Sequence, residues 1–168
     1  MPLPIYLFIL IELICVAWAD IRTNKIVNMW SILNLIFFLV LLMVSPDYYS
    51  LKLDTFIYSS VFLLVGFIFF LIRIMGGGDS KFLFTFFLVV PGALQEQTFE
   101  YLLISTILVG TFVFITNVAK NFDKLKYSLR IGDMKSVKSC FGSKFAFAPV
   151  ILIAWIWVGW KIRDSLIY

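Results

Sequence analysis

The sequence predicts an all-α integral membrane protein of about six transmembrane helices. Composition is the first reason: of 168 residues, 62% are hydrophobic and only 14% charged. A soluble domain carries about 45–50% apolar and about 25% charged residues. The second reason is a succession of six apolar segments, roughly 3–19, 29–44, 55–75, 82–94, 99–119 and 145–160. The third is that basic residues gather in alternate loops. The length suits one domain, 1–168, embedded in the membrane.

A spanning helix needs about 20 residues. The first segment meets that. Met1-Pro2-Leu3-Pro4 offers no basic n-region, and no small-residue cleavage site precedes Asp20. The segment is therefore expected to be a retained helix rather than a signal peptide. The second segment reaches spanning length with Ile26 and Val27 included. The third and fifth meet the length, and the sixth is marginal. The fourth, ending near Pro91-Gly92, is short. It suits a helix that begins below the lipid surface in a protein-lined cavity.

Charge sets the expected orientation. Loops at about 20–28, 73–81 and 120–144 hold Arg22 and Lys25, then Arg73 and Lys81, then Lys120, Lys124, Lys126, Arg130, Lys135, Lys138 and Lys144. The opposite side holds Lys52, Lys161 and Arg163, with Glu96 and Glu100 in the fourth loop. The positive-inside bias makes the first set cytoplasmic and puts both termini outside. Asp20 and Asp79 then emerge on one face. The basic 120–144 stretch reads as a topology anchor against anionic lipid.

Several chemistries are excluded. The chain has no histidine and only two cysteines, Cys15 and Cys140, with no CxxC. Zinc held by His and Cys is ruled out, as are Ser–His and Cys–His nucleophile pairs. No cofactor, metal or nucleic-acid partner is expected. Carboxylates, lysines and hydroxyls remain.

An aspartate deep in a membrane costs roughly 2.5–3.5 kcal/mol on insertion scales. Two such residues, Asp20 and Asp79, close or open apolar segments here. Neighbouring carboxylates cannot both ionise, so one pKa rises and the pair shares a proton. The ionised member can draw a proton from water while the protonated one polarises a carbonyl. Which is base and which is acid is not assigned, because the titration belongs to the pair. Gly76, Gly77 and Gly78 are expected to allow positive φ and close approach of a peptide backbone. They also end the third helix, so that Asp79 opens the fourth, where the dipole favours a carboxylate. Ser80 and Lys81 are placed to tune the pair.

The string Gly76-Gly77-Gly78-Asp79-Ser80-Lys81 has the form GxGDxK. Asp20-Ile21-Arg22-Thr23-Asn24-Lys25-Ile26-Val27-Asn28 follows D-x-R-x-x-x-I-x-N, with Val27 where a proline is usual, and Phe147-Ala148-Pro149 reads as F-A-P. Together these resemble the prepilin peptidases, membrane aspartic proteases of the GxGD group, in the short form that processes Flp-type prepilins. The resemblance covers essentially the whole chain. It implies Asp20 and Asp79 as catalytic residues, with Gly76, Gly77, Gly78, Lys81, Asn28 and Pro149 supporting the site. The implied substrate is a prepilin with a short basic leader ahead of an apolar helix, cut at the cytoplasmic face of a bacterial or archaeal cytoplasmic membrane. Lipid is the other partner. The long members' cysteine-bearing segment is absent from this sequence, so N-methylation is not expected.

Other features read more plainly. Gly132-Asp133-Met134-Lys135 lacks the first glycine of the motif and sits among lysines, as a solvated loop would. Glu12 is expected to make an interhelical contact, and Arg73 to snorkel as an anchor. The alternative from another class is a small transporter or ion-relay subunit using Glu12, Asp20 and Asp79. An idle assembly scaffold would tolerate Asn at both aspartates. Substrate sequence and oligomeric state are not legible.

Overall fold

The structure, a computed structural model, describes residues 1–71, 75–131 and 146–166. The expectations for Arg73, the 132–135 string and Cys140 fall outside them. Among the described residues there are helices and no strands: α1 (Leu3–Thr23), α2 (Asn28–Val44), α3 (Leu53–Leu71), α4 (Gly77–Val89), α5 (Gly92–Lys120), α6 (Phe122–Ile131) and α7 (Ala148–Leu166). Three of them, α1, α3 and α5, are long and apolar enough to cross a membrane, and α2 is a shorter apolar helix.

A proline or glycine precedes three of the seven described helices. Pro2 precedes α1, Gly76 precedes α4, and Pro91 precedes α5, each with extended backbone ahead of the first turn. A proline there sacrifices no hydrogen bond, because the first N–H groups of a helix have no intrahelical partner. The Pro91 start shifts one boundary from the sequence expectation. Glu96 and Glu100 lie within the first turns of α5 on exposed positions, not in a loop. The buried face of those same turns carries Gln95 and Thr98. The basic 120–144 stretch is likewise not all loop, since α6 occupies its first part.

The short helix α4 is the axis of the molecule. It packs against α2 on one side and α3 on the other, while α7 packs against α1 and α5. Most of α4 is buried, including Phe82, Phe86 and Phe87. A helix apolar on every side is one enclosed by protein. Phe87 stacks on Phe62 of α3 at 4.5 Å, and Phe86 meets Trp155 of α7 edge-on at 5.8 Å. Tyr6 of α1 stacks on the same Trp155 at 5.4 Å. Close approach of α3 to α4 depends on Gly66, where a Cβ would fall 2.6 Å from the Cβ of Ser80.

The outer faces are apolar. Ile11, Trp18, Leu64, Phe67, Ile107 and Phe112 are exposed on α1, α3 and α5. Soluble monomers rarely expose contiguous apolar patches of more than a few hundred Å². Long apolar helices with such an exterior identify an α-helical membrane protein.

Candidate aspartate site

Three segments far apart in sequence meet at one end of the bundle. The first is the C-terminus of α1. Asn24 takes a left-handed conformation, φ 49°, and donates its N–H to the Asp20 carbonyl at 2.7 Å. Asparagine tolerates that region where most residues do not. The turn ends α1 and brings Ile26 back into the core, where it is buried. Asp20 itself is only 2% exposed.

The second segment is the start of α7. The Ala148 N–H donates to Asp20 Oδ2 at 3.0 Å. Ala148 is the first residue of α7, so this N–H is one the helix itself cannot satisfy. The carboxylate also sits at the positive end of the helix dipole. Pro149 occupies the second position of α7, where its missing N–H costs nothing, and the Phe147 carbonyl accepts from Val150 at 3.0 Å. Pro149 thus shapes the helix start, and its neighbour supplies the contact.

The third segment is the glycine turn. Asp79 is the third residue of α4, and its Oδ2 accepts the Gly76 N–H at 3.1 Å. The Asp79 N–H returns to the Gly76 carbonyl at 3.1 Å. This is half of a capping box, which fixes the carboxylate over the helix start. Asp79 is half-buried. Its nearest partners are the Gly76 N–H and, through its charge, Asp20. The two carboxylates therefore act on each other electrostatically.

Of the two jobs expected of the glycines, close backbone approach and positive φ, the structure shows the first at Gly78 and not the second. None of the three adopts positive φ; Gly76 has φ −75°. What Gly78 provides is space, because a Cβ there would collide with the Ile26 carbonyl. That contact locks the glycine turn to the loop after Asp20. At Gly77 a Cβ would make only ordinary contact, 3.5 Å from the Phe70 ring. At Gly76 it would stand 3.1 Å from Asp79 Oδ2.

The other expected supports are not drawn in. Lys81 is exposed, and no ion pair joins it to either carboxylate among the described residues. Asn28 opens α2 on an exposed position. Arg22 lies over the Trp18 ring at 4.3 Å instead of turning to Asp20. Ser80 is buried, with its hydroxyl directed at the Gly76 carbonyl at 3.5 Å. Sequence reasoning missed the Ile26 carbonyl and the Ala148 N–H. Both are backbone groups, for which side-chain identity carries little signal.

Among the described residues no cluster of three or more His, Cys, Asp or Glu side chains gathers that could hold a metal ion. Two carboxyls that influence each other, one well buried and one half-buried, make a pair suited to acid–base chemistry on water. Comparison with protein-family models, curated proteins and solved structures found no match.

Proposed function

We propose that this chain is an aspartic endopeptidase that removes the short basic leader of type IV prepilins, of the Flp type, at the cytoplasmic face of a bacterial or archaeal membrane. One observation carries the reading. The three strings that resemble the prepilin peptidases, around Asp20, Gly76–Asp79 and Phe147–Pro149, come together at one end of the bundle. An accidental resemblance in three separate strings has no reason to close into one site.

The reaction needs one carboxyl ionised and one protonated. The ionised carboxylate takes a proton from water as the oxygen attacks the scissile carbonyl, and the protonated carboxyl hydrogen-bonds the developing oxyanion. Collapse of the tetrahedral species expels the leaving amine, which receives a proton from the pair. The titration is that of the pair, so the two roles are left to the dyad as a unit.

The short α4 serves this chemistry. Thirteen residues at about 1.5 Å each give roughly 20 Å, less than the roughly 30 Å hydrocarbon core. In a six-span arrangement with the aspartates cytoplasmic, α4 starts below the lipid surface and its protein jacket shields the backbone. A prepilin whose apolar helix lies in the bilayer would then present its leader junction at the depth of Asp79. The basic loops around the site fit the cytoplasmic orientation.

The test is co-expression with a candidate prepilin, following leader removal on a gel. Wild-type protein should process it; Asp20→Ala and Asp79→Ala should each abolish processing. Full cleavage by either variant would remove the dyad. A transporter or ion relay is the second reading, favoured by Glu12, which is buried in the middle of α1. It predicts carboxylate-dependent ion flux in proteoliposomes and no cleavage.

A further inference from the structure

Away from the aspartate site, a second polar group is buried in the bundle and has no role in the proposed reaction. Glu12 of α1 is 5% exposed, and Asn34 and Ser31 of α2 are 1% and 8% exposed. Ser31 and Asn34 are three residues apart and so share one face of their helix. The Asn34 carboxamide faces the Glu12 carboxyl across the α1–α2 seam without completing a hydrogen bond of good geometry to it. That seam is closed nearer the N-terminus of α1 by Phe8 stacked on Phe37 at 3.9 Å.

Four polar atoms in this cluster lack a hydrogen-bond partner among the described residues: Glu12 Oε1, Ser31 Oγ, and both Oδ1 and Nδ2 of Asn34. Buried polar atoms are almost always paired, with protein or with ordered water. Elsewhere among the described residues only two lone hydroxyls, those of Ser59 and Ser105, lack a partner, while Gln95 Nε2 bonds the carbonyls of Thr55, Phe87 and Val90. Concentration of unmet atoms in one place therefore calls for a ligand.

We propose that Glu12, Ser31 and Asn34 line an internal water-binding site between α1 and α2. The donor set selects water. Asn34 Nδ2 can only donate, Asn34 Oδ1 can only accept, and the Ser31 hydroxyl does either. A cation would satisfy the oxygens but would face the amide hydrogens of Nδ2. Water donates and accepts, and a buried water makes about three such bonds. The site lies eight residues from Asp20 along α1, about 12 Å at 1.5 Å per residue. It stands whether or not the chain is a peptidase.

The experiment uses the full-length protein in lipid nanodiscs, labelled with 15N at asparagine. The chain has Asn24, Asn28, Asn34, Asn117 and Asn121, so the carboxamide spectrum is sparse. The Asn34 pair is assigned through its own backbone in the wild type, which removes any reliance on a folded Asn34 variant. Expected is a cross-relaxation peak from water to the Asn34 Nδ2 protons, with those protons still protected from bulk exchange. Glu12→Leu should reduce that peak several-fold, and Glu12→Gln, which keeps an acceptor, should retain it. Absence of the peak in the wild type would overturn the proposal in favour of a direct Glu12–Asn34 bond. A shift of the Asn34 signals on replacing sodium by choline would overturn it in favour of a cation.

Discussion

At Gly78 a single hydrogen decides whether two loops can meet. A methyl there would be driven into the Ile26 carbonyl, and backbone cannot swing aside as a side-chain tip does. Overpacking of this kind costs about 1–3 kcal/mol, and it acts on the gap between the two aspartates. On the proposed peptidase function, Gly78→Ala should therefore lower cleavage more than tenfold, whereas Gly77→Ala, in ordinary contact with Phe70, should stay within about threefold of wild type, an interval worth under about 1 kcal/mol. Prepilin-processing rates in membranes would separate the two.

Helix α4 shows how one element is held at both ends. Its N-terminus is closed by Asp79 and Gly76. Its C-terminal carbonyls, orphaned by the helix geometry, are met from outside. Tyr49 donates its hydroxyl to the Val89 carbonyl at 2.8 Å, and Gln95 Nε2 reaches Phe87 at 2.8 Å and Val90 at 3.3 Å. Tyr49 belongs to the loop before α3, and Gln95 to the first turn of α5, so this clasp ties two segments to α4. Burial raises the Tyr49 phenol above its usual value, which keeps the hydroxyl a donor. Gln95→Leu strands buried carbonyls and should destabilise the protein by about 1–3 kcal/mol, against about 1 kcal/mol for Tyr49→Phe. Thermal unfolding in detergent would rank them. Both residues lie at the end of α4 far from Asp79, so cleavage at low temperature should persist in each.

Across the whole molecule, the site exists only because α7 returns to α1. The contact is one hydrogen bond between residues 128 positions apart, Ala148 N–H to Asp20 Oδ2. Ala148→Pro keeps a residue acceptable in a first helical turn but replaces the donor with a ring carbon. A hydrogen bond to a charged group contributes about 1.5–3 kcal/mol, so cleavage should fall by at least tenfold while helix content by circular dichroism stays unchanged. Loss of helix content instead would make Ala148 a folding residue and not a positioning one. The aromatic run from Tyr6 through Trp155 to Phe86 holds α1, α7 and α4 together behind that bond.

The sequence by itself determined that this is a helical membrane protein, since no soluble core accommodates so apolar a chain. It also singled out Asp20 and Asp79, because a carboxylate beside an apolar segment is costly and conspicuous. The α4 start at Gly76 was legible as a local backbone constraint, whereas the start of α5 just after Pro91, ahead of Glu96 and Glu100, was not. The work of each glycine was not legible. Gly78 is needed for clearance from Ile26, a residue 52 positions earlier, and no local pattern reports a contact at that range. Nor did residue types reveal that Lys81 and Asn28 would face outward while the Ala148 N–H holds Asp20. Side-chain chemistry is written residue by residue, but backbone donors are alike everywhere. Only the tertiary structure decides which of them meets a buried charge.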